Sequence, residues 1–219
     1  MPATFAALPD CVHVGEPART ATMIDEQKKA LRQQATERRA ELFGRAGNAG
    51  TALRDVFMKS IPLPALDVQK LGPVVSGFWP MGEEIDTRPL LLRLHDLGYR
   101  CCLPAVMGKG KPLAFRRWTP ETRLVADRFG VQAPPPGAIE AVPELLIVPL
   151  LAFDRQGWRL GYGAGFYDYT LDALRRGGKA LAVGVGFAGQ EVKSVPHDEF
   201  DQRLDWIVTE REAFKTAGA

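Results

Sequence analysis

A glycine-rich segment at residues 154–171 carries residue types that suit a phosphate site. It reads DRQGWRLGYGAGFYDYTL, with four glycines in nine residues followed by two aromatic residues and Asp168. Glycine permits positive φ and lets a ligand approach the backbone, and successive amides in such a loop can form an anion-binding nest. A helix predicted to follow adds unpaired N–H groups and the positive end of its dipole. On the loop alone an alternative stays open: a flexible turn before a helix, in which Asp168 serves only the dipole.

The spacing of the glycines excludes two common nucleotide-binding motifs. No Lys-Ser/Thr pair follows the last glycine, as a Walker A motif requires. Gly161, Gly163 and Gly165 are two residues apart, which is not the GxGxxG spacing. A dinucleotide fingerprint would also lie on the first strand of the chain, whereas this segment comes late.

Asp168 favours a cation at such a site. A carboxylate beside a phosphate cradle repels the anion unless a cation lies between them, and Mg²⁺ is commonly held by one or two carboxylates plus phosphate oxygens. Asp205, before the last predicted strand, is the candidate second ligand, with Asp201 four residues upstream. The commoner alternative for Asp205 is a solvated acid at a strand start.

Strands alternate with helices along most of the chain. Helices are predicted over residues 22–44, 51–60, 85–99 and 165–177, and strands over residues 72–79, 100–106, 113–118, 144–153, 179–187 and 205–210. This order indicates an α/β fold with a mostly parallel central sheet and helices on both faces. Ligands bind such sheets at the carboxyl ends of the strands, where the glycine-rich segment falls.

The helix predicted over residues 22–44 opens with Thr22 and Asp25, which are spaced as in a capping box. Lys28 and Arg32 lie four residues apart on this helix and therefore share a face. We expect residues 1–22 to form a loose tail and residues 23–219 to form a single domain.

The composition excludes several classes of protein. The 219 residues are 46% hydrophobic and 25% charged, which is ordinary for a globular protein, and a net charge of +2 does not favour nucleic-acid binding. Three cysteines without CxxC spacing exclude a disulfide framework and disfavour a zinc site. We expect a cytoplasmic protein with no signal peptide and no membrane-spanning segment.

With these residues in place, the chain resembles the 5-formyltetrahydrofolate cyclo-ligase family, also called 5,10-methenyltetrahydrofolate synthetases. The resemblance runs from about Lys28 to Glu210 and rests on five ordered motifs. They are K-x-x-L-R at 28–32, FWPMGEEIDT at 78–87, LP at 103–104, VP-x-LAFD-x-x-G-x-RLGYG-x-G-[YF]YD at 148–168, and P-x-x-x-x-D-x-x-L-D-x-I-x-TE at 196–210.

The resemblance implies a three-layer α/β/α fold, Rossmann-like and related to the scaffold of sugar-phosphate isomerases and CoA transferases. It implies that ATP and Mg²⁺ drive the conversion of 5-formyltetrahydrofolate to 5,10-methenyltetrahydrofolate, with release of ADP and phosphate. The expected intermediate is a phosphorylated formyl group, an iminium phosphate.

The resemblance also implies roles for individual residues. Lys28 and Arg32 would bind ATP phosphates and act in catalysis, and Asp168 and Asp205 would hold Mg²⁺. The nucleotide would also be bound by Arg159, Leu160, Gly161, Tyr162, Gly163, Ala164, Gly165, Phe166 and Tyr167. The folate would be bound by Trp79, Glu84, Tyr162, Gly163, Ala164, Gly165 and Phe166.

Phe166 departs from the family, which commonly has tyrosine at this position. It is placed with the catalytic residues by the resemblance, but it lacks the hydroxyl and retains only stacking. For Trp79, an ordinary core aromatic residue is the alternative interpretation.

Two other functions stay open at this stage. One is a sugar-phosphate isomerase or acyl-CoA-transferase-like enzyme, which would need no ATP. The other is a non-catalytic nucleotide or RNA binder that uses the basic helix from Lys28 to Arg39, which predicts steep salt dependence and no turnover. The expected partners are ATP and a reduced folate, bound by a monomer that contacts neither nucleic acid nor membrane.

Overall fold

The computed structural model describes residues 16–65, 72–127, 129–178 and 180–217. The helices are α1 (Glu16–Gly44), α2 (Ala49–Ser60), α3 (Arg88–Asp96) and α4 (Phe166–Gly177), with a short 3₁₀ helix at Ala188–Gln190. The strands are β1 (Val74–Ser76), β2 (Arg100–Ala105), β3 (Ala114–Arg117), β4 (Val125–Ala126), β5 (Gln132–Ala133), β6 (Leu145–Pro149), β7 (Ala152–Phe153), β8 (Arg159–Leu160), β9 (Leu181–Val185), β10 (Trp206–Val208) and β11 (Ala213–Lys215).

Seven strands form the central sheet in the order β11-β10-β9-β6-β1-β2-β3. The five central strands are parallel, and β3 and β11 pair antiparallel at the two edges. The chain leaves β1 toward β2 and later returns on the other side of β1 as β6. The carboxyl ends of β1 and β6 therefore flank the point where connections diverge, which is where ligands bind in such sheets.

The sheet is covered on both faces, so its strands are apolar on both sides. Leu145 and Ile147 of β6 pack in a cluster with residues of α2 and α3. Leu146 and Val148, which point to the opposite face, pack in a second cluster with Leu171 of α4. These two clusters confirm the three-layer α/β/α fold.

Helix α1 is longer than predicted. It begins at Glu16, so Thr22 lies inside the helix rather than at its cap, and part of the segment predicted as a tail is helical. Pro17 is compatible with this start because proline is accommodated in the first turn of a helix. Residues 1–15 lie outside the described residues. Farther along, Ala35 of α1 is buried in a third apolar cluster with residues of β7 and β8.

The strand predicted over residues 144–153 is two strands. After β6 the chain turns, and the amide of Leu151 donates to the carbonyl of Leu160. β7 then pairs antiparallel with β8 in a separate hairpin. An unbroken apolar run does not reveal this break, because both strands are buried. In the described part of the chain, no helix combines the length and apolarity needed to cross a membrane.

Candidate active site

A cavity of about 920 Å³ opens at the carboxyl ends of the parallel strands. Phe78 and Trp79 after β1, Pro104 of β2 and Pro149 of β6 form its floor. One face of α1, the glycine-rich segment, the start of α4, residues 198–202 and parts of the chain after β1, β2 and β4 form its wall. Its position matches the divergence of connections around β1 and β6.

The glycine-rich segment joins β8 to α4 along this wall. Gly163 and Gly165 have φ values of 97° and 68°, a region that favours glycine, and Gly165 is the residue before the first turn of α4. Arg32 packs against the segment, because its Nε donates to the carbonyl of Gly161 at 3.0 Å. A Cβ atom on Gly163 would lie 3.2 Å from Cζ of Arg32, so glycine permits this close contact.

Lys28 is buried against two carboxylates at the cavity wall. Its Nζ lies 2.6 Å from Oδ2 of Asp198 and 2.6 Å from Oδ2 of Asp201. Burial by itself would lower the pKa of the Lys28 ammonium, but the two carboxylates outweigh burial and the pKa is raised. Burial would likewise raise the pKa of Asp198, but its hydrogen bonds, first among them the one from Lys28, hold that pKa below its ordinary value.

Asp168 lies on the cavity wall in the first turn of α4. Its Oδ1 accepts hydrogen bonds from Nη2 of Arg159 at 2.9 Å and from the amide of Gln202 at 3.0 Å. The second bond brings the neighbour of Gln202, Asp201, to the same part of the wall. Asp168 and Asp201 thus both line the cavity, from two separate segments of the chain.

Asp205 lies away from the cavity wall that holds Asp168, so its position does not favour the predicted pairing of these two acids around a metal. Asp205 does not line the cavity; its Oδ2 accepts from the amide of Ala182 at 2.7 Å and lies 3.4 Å from Nη2 of Arg175. Asp205 directly precedes β10. The amino ends of the parallel strands, where Asp205 lies, are at the end of the sheet opposite the cavity. Asp201, which lies farther from the strand, is the acid that reaches the wall.

Glu84 is buried beside the cavity with both carboxylate oxygens bonded. Oε2 accepts from the amide of Met81 at 2.8 Å, and Oε1 accepts from the hydroxyl of Tyr162 at 3.0 Å. Burial is the main cause of the raised pKa of Glu84, and these two hydrogen bonds and the charge of Arg39 oppose it. Nη1 of Arg39 donates to the same tyrosine hydroxyl.

Family comparison decides among the functions that the sequence left open. The sequence model described as the 5-formyltetrahydrofolate cyclo-ligase family matches residues 24–210. The chain belongs to this family.

Individual cyclo-ligases show the same similarity. The 5-formyltetrahydrofolate cyclo-ligase of Escherichia coli K12 is 36% identical over 141 residues, covering 62% of this chain and 76% of that protein. The mouse protein of that name is 24% identical over 201 residues, covering 87% of this chain and 97% of that protein.

Solved structures agree in fold. The NMR structure of Aquifex aeolicus 5,10-methenyltetrahydrofolate synthetase superposes with a TM-score of 0.67 at 27% identity, covering 88% of this chain and 94% of that one. The synthetase of Mycoplasma pneumoniae gives a TM-score of 0.63 at 19% identity, covering 84% and 99%, and supports the fold alone.

Most residues that the cyclo-ligase resemblance selected lie on the cavity wall. All except Asp205 line it, namely Lys28, Arg32, Trp79, Glu84, Arg159, Leu160, Gly161, Tyr162, Gly163, Ala164, Gly165, Phe166, Tyr167 and Asp168. Phe166 forms an apolar part of the wall, with its ring centroid 5.9 Å from that of Phe129. Trp79 is half-buried, 6.2 Å from Trp118 by ring centroids.

Sequence reasoning did not select Arg39 or Asp198 as parts of this site, and it named Asp201 only as an acid four residues before Asp205. Arg39 follows Arg32 by seven residues, so two helical turns place it on the same face of α1, and this spacing is a signal in the sequence. Asp198 and Asp201 lie outside regular structure, where no periodicity shows which way a side chain points. Only their contacts with Lys28 identify them.

Proposed function

We propose that this protein is an ATP-dependent 5-formyltetrahydrofolate cyclo-ligase, which converts 5-formyltetrahydrofolate to 5,10-methenyltetrahydrofolate and releases ADP and phosphate. The observation that carries the proposal is that one cavity, in a chain of this family, joins the glycine-rich segment to Lys28, Arg32 and Glu84. A polyanion and a pterin ring can therefore meet in a single space.

The reaction needs activation of a poor electrophile. The nitrogen of a formamide donates into its carbonyl, and oxide does not leave. Transfer of the γ-phosphoryl group of ATP to the formyl oxygen gives an iminium phosphate. The neighbouring folate nitrogen attacks the formyl carbon and loses its proton to solvent, the C–O bond breaks, and the former formyl oxygen departs within inorganic phosphate. The protein supplies position and charge rather than a covalent nucleophile.

The nucleotide phosphates fit the part of the cavity that Lys28, Arg32 and the glycine-rich segment line. Lys28 and Arg32 contribute two positive charges from one face of α1. The glycine-rich segment and the start of α4 line the same space, and their unpaired amides would supply further donors there. Together these groups would hold the triphosphate and stabilise charge on the transferring phosphoryl group.

Asp168 and Asp201 fit a magnesium ion better than the pair selected from the sequence. In the part of the chain that the structure describes, Oδ2 of Asp168 and Oδ1 of Asp201 have no hydrogen-bond partner, so each acid keeps one oxygen for a cation. Two carboxylates with phosphate oxygens and waters suit Mg²⁺. Bound there, Mg²⁺ would neutralise negative charge on the ATP phosphates.

The folate fits the part of the cavity that Trp79, Glu84 and Phe166 line. The Glu84 carboxylate would accept a pterin N–H, and Trp79 would provide aromatic contact. Phe166 would contact the substrate through its ring alone, since it has no hydroxyl to donate. We further propose a monomer, because residues of one chain build the whole cavity, and a cytoplasmic location, because Cys101 and Cys102 are free thiols.

The test is the formation of methenyltetrahydrofolate, followed by its absorbance, from 5-formyltetrahydrofolate with and without Mg·ATP. We expect product only with Mg·ATP. Arg32→Ala should lower turnover by about tenfold or more, as loss of a charged contact to the transferring group does. Arg38→Ala is the matched control, because Arg38 is an exposed arginine on the same helix. A folded wild-type protein that forms no product would contradict the proposal.

A further inference from the structure

We propose that Arg39 is a positioning residue for the folate-binding carboxylate of Glu84, acting through the hydroxyl of Tyr162. The guanidinium fixes the tyrosine hydroxyl and supplies the positive charge that keeps the buried carboxylate ionised for the pterin. This assignment rests on the proposed function, in which Glu84 accepts a hydrogen bond from the folate.

Three segments meet in this contact. Arg39 comes from α1, Tyr162 from the glycine-rich segment and Glu84 from the chain after β1. Arg39 donates to the tyrosine hydroxyl, which donates to Oε1 of Glu84 at 3.0 Å. The Arg39 guanidinium also lies over the tyrosine ring, with Cζ 5.4 Å from the centroid. Arg39 therefore contacts both the ring and the hydroxyl of Tyr162.

Both charged groups of this contact, the Arg39 guanidinium and the Glu84 carboxylate, are buried. Arg39 is 5% exposed and Glu84 is 6% exposed, whereas Tyr162 is 55% exposed. A buried carboxylate is costly to ionise without a countercharge, and a buried guanidinium is seldom placed without a carboxylate or another acceptor. Nε of Arg39 is buried and has no hydrogen-bond partner among the described residues, so the guanidinium is held here at the expense of one donor.

The other groups around Glu84 do not replace Arg39. Tyr167, at the start of α4, interacts electrostatically with Glu84 but carries no positive charge. The amide of Met81 donates a neutral hydrogen bond. Glu83, whose Oε2 is 3.8 Å from Nη2 of Arg39, adds negative charge. Of the ionisable groups found to act on Glu84, Arg39 is thus the cation, and it lowers the pKa that burial raises.

Removal of Arg39 should therefore weaken folate binding in a pH-dependent way. The pKa of Glu84 would rise further, so the carboxylate would protonate as the pH falls through a higher value than in the wild type. At high pH Glu84 is ionised in both proteins, so the difference in folate affinity between the variant and the wild type becomes smaller. A purely structural defect would weaken binding at every pH.

The experiment compares Arg39→Met, Arg39→Lys and the matched control Arg38→Met in wild-type background. Binding of 5-formyltetrahydrofolate without ATP is followed by quenching of tryptophan fluorescence, since Trp79 lines the cavity, between pH 5.5 and 9. For Arg39→Met we expect the dissociation constant at pH 6 to rise about tenfold or more, as loss of a charged hydrogen bond predicts. The pH below which folate binding weakens, the acid limb of the binding profile, should rise by about one unit. The KM for ATP should change less than the KM for folate.

Arg39→Lys should recover most of the pH profile, and Arg38→Met should match the wild type. An acid limb in Arg39→Met that coincides with that of the wild type would overturn the assignment, as would a loss of binding that is equal at all pH values. If Arg39→Met does not fold, Arg39→Lys and Tyr162→Phe carry the test: an unchanged profile in Tyr162→Phe contradicts the relay through the hydroxyl. Folate binding by a wild type that forms no product would contradict the proposed reaction and not this assignment.

Discussion

Asp201 and Asp205 are four residues apart, but Asp201 lines the cavity and Asp205 does not. This difference can be tested one side chain at a time. Asp201→Asn should reduce turnover about tenfold or more and raise the Mg²⁺ concentration needed, because it removes an anionic ligand from the cavity wall. Asp205→Asn should keep the wild-type Mg²⁺ dependence, since its carboxylate bonds the amide of Ala182. Turnover measured across a Mg²⁺ titration distinguishes them, and the reverse ranking would restore Asp205 as the ligand.

Lys28 links stability to pH through its ion pair with Asp198. The pKa of Asp198 is held below its ordinary value of 3.8 in the folded protein. Its contribution to folding is therefore complete above that value and is lost as the pH falls through the lower, folded-state pKa. Lys28→Met should cost at least about 1 kcal/mol of unfolding free energy at pH 7, and less near pH 3. Urea unfolding at both pH values measures the difference in unfolding free energy between the wild type and the variant. A difference that is larger at pH 3 than at pH 7 would contradict the ion pair.

Sequence could select only those site residues that show a regular spacing or belong to a recognisable motif. Lys28 and Arg32 share a helical face by their spacing, and the glycine-rich segment is distinctive by composition. Arg39 obeys the same helical spacing, but a basic residue on a helix is ordinarily solvated, so spacing alone gave no reason to choose it. The choice between Asp201 and Asp205 depends on where the chain enters β10, which is a three-dimensional property.

The β7–β8 hairpin depends on Gly157, whose φ is 92°. A Cβ atom there would lie 2.6 Å from the carbonyl oxygen of Leu204 and 2.9 Å from Oγ1 of Thr216. Gly157→Ala should destabilise the protein by about 2 kcal/mol or more, because it adds backbone strain to a steric clash. Chemical denaturation measures the loss.

Gly177→Ala provides the control at the end of α4, where nothing lies within 4 Å of the added Cβ atom. It should change the unfolding free energy by less than about 1 kcal/mol. Equal losses in the two variants would mean that the hairpin tolerates a side chain at position 157.

Elements with clear ends were the predictable ones. α3 lies within the range predicted for it, residues 85–99, with Thr87 before it and proline in its first turn, and α2 and α4 lie close to their predicted ranges. The short strands β4, β5, β7 and β8 have two residues each, too few to show a period. Each pairs antiparallel with a strand only a few residues away, β4 with β5 and β7 with β8, so the turn between them, not a repeating pattern, produces them.

The cavity is a property of the whole molecule, because α1, the segment after β1, the start of α4 and residues 198–202 all contribute to it. Ligands that bridge these parts should stabilise the fold. At 100 times its dissociation constant, Mg·ATP should add about 2.7 kcal/mol to the unfolding free energy. A rise in the thermal midpoint of roughly 5–10 °C follows for a domain of this size.

The variant Asp168→Asn tests the source of this stabilisation. Its thermal unfolding is measured with Mg·ATP, with ATP plus chelator, and without ligand. The variant should lose most of the magnesium-dependent part of the shift. A shift equal to that of the wild type would remove Asp168 from the nucleotide site.

Transfer of the formyl oxygen tests the central claim most directly. 5-Formyltetrahydrofolate labelled with oxygen-18 in its formyl group is converted with Mg·ATP, and the released phosphate is analysed by mass spectrometry. Phosphorylation of the formyl oxygen predicts one labelled oxygen in each phosphate, with one ADP for each methenyltetrahydrofolate formed. Unlabelled phosphate, or methenyltetrahydrofolate formed without ADP, would contradict the account.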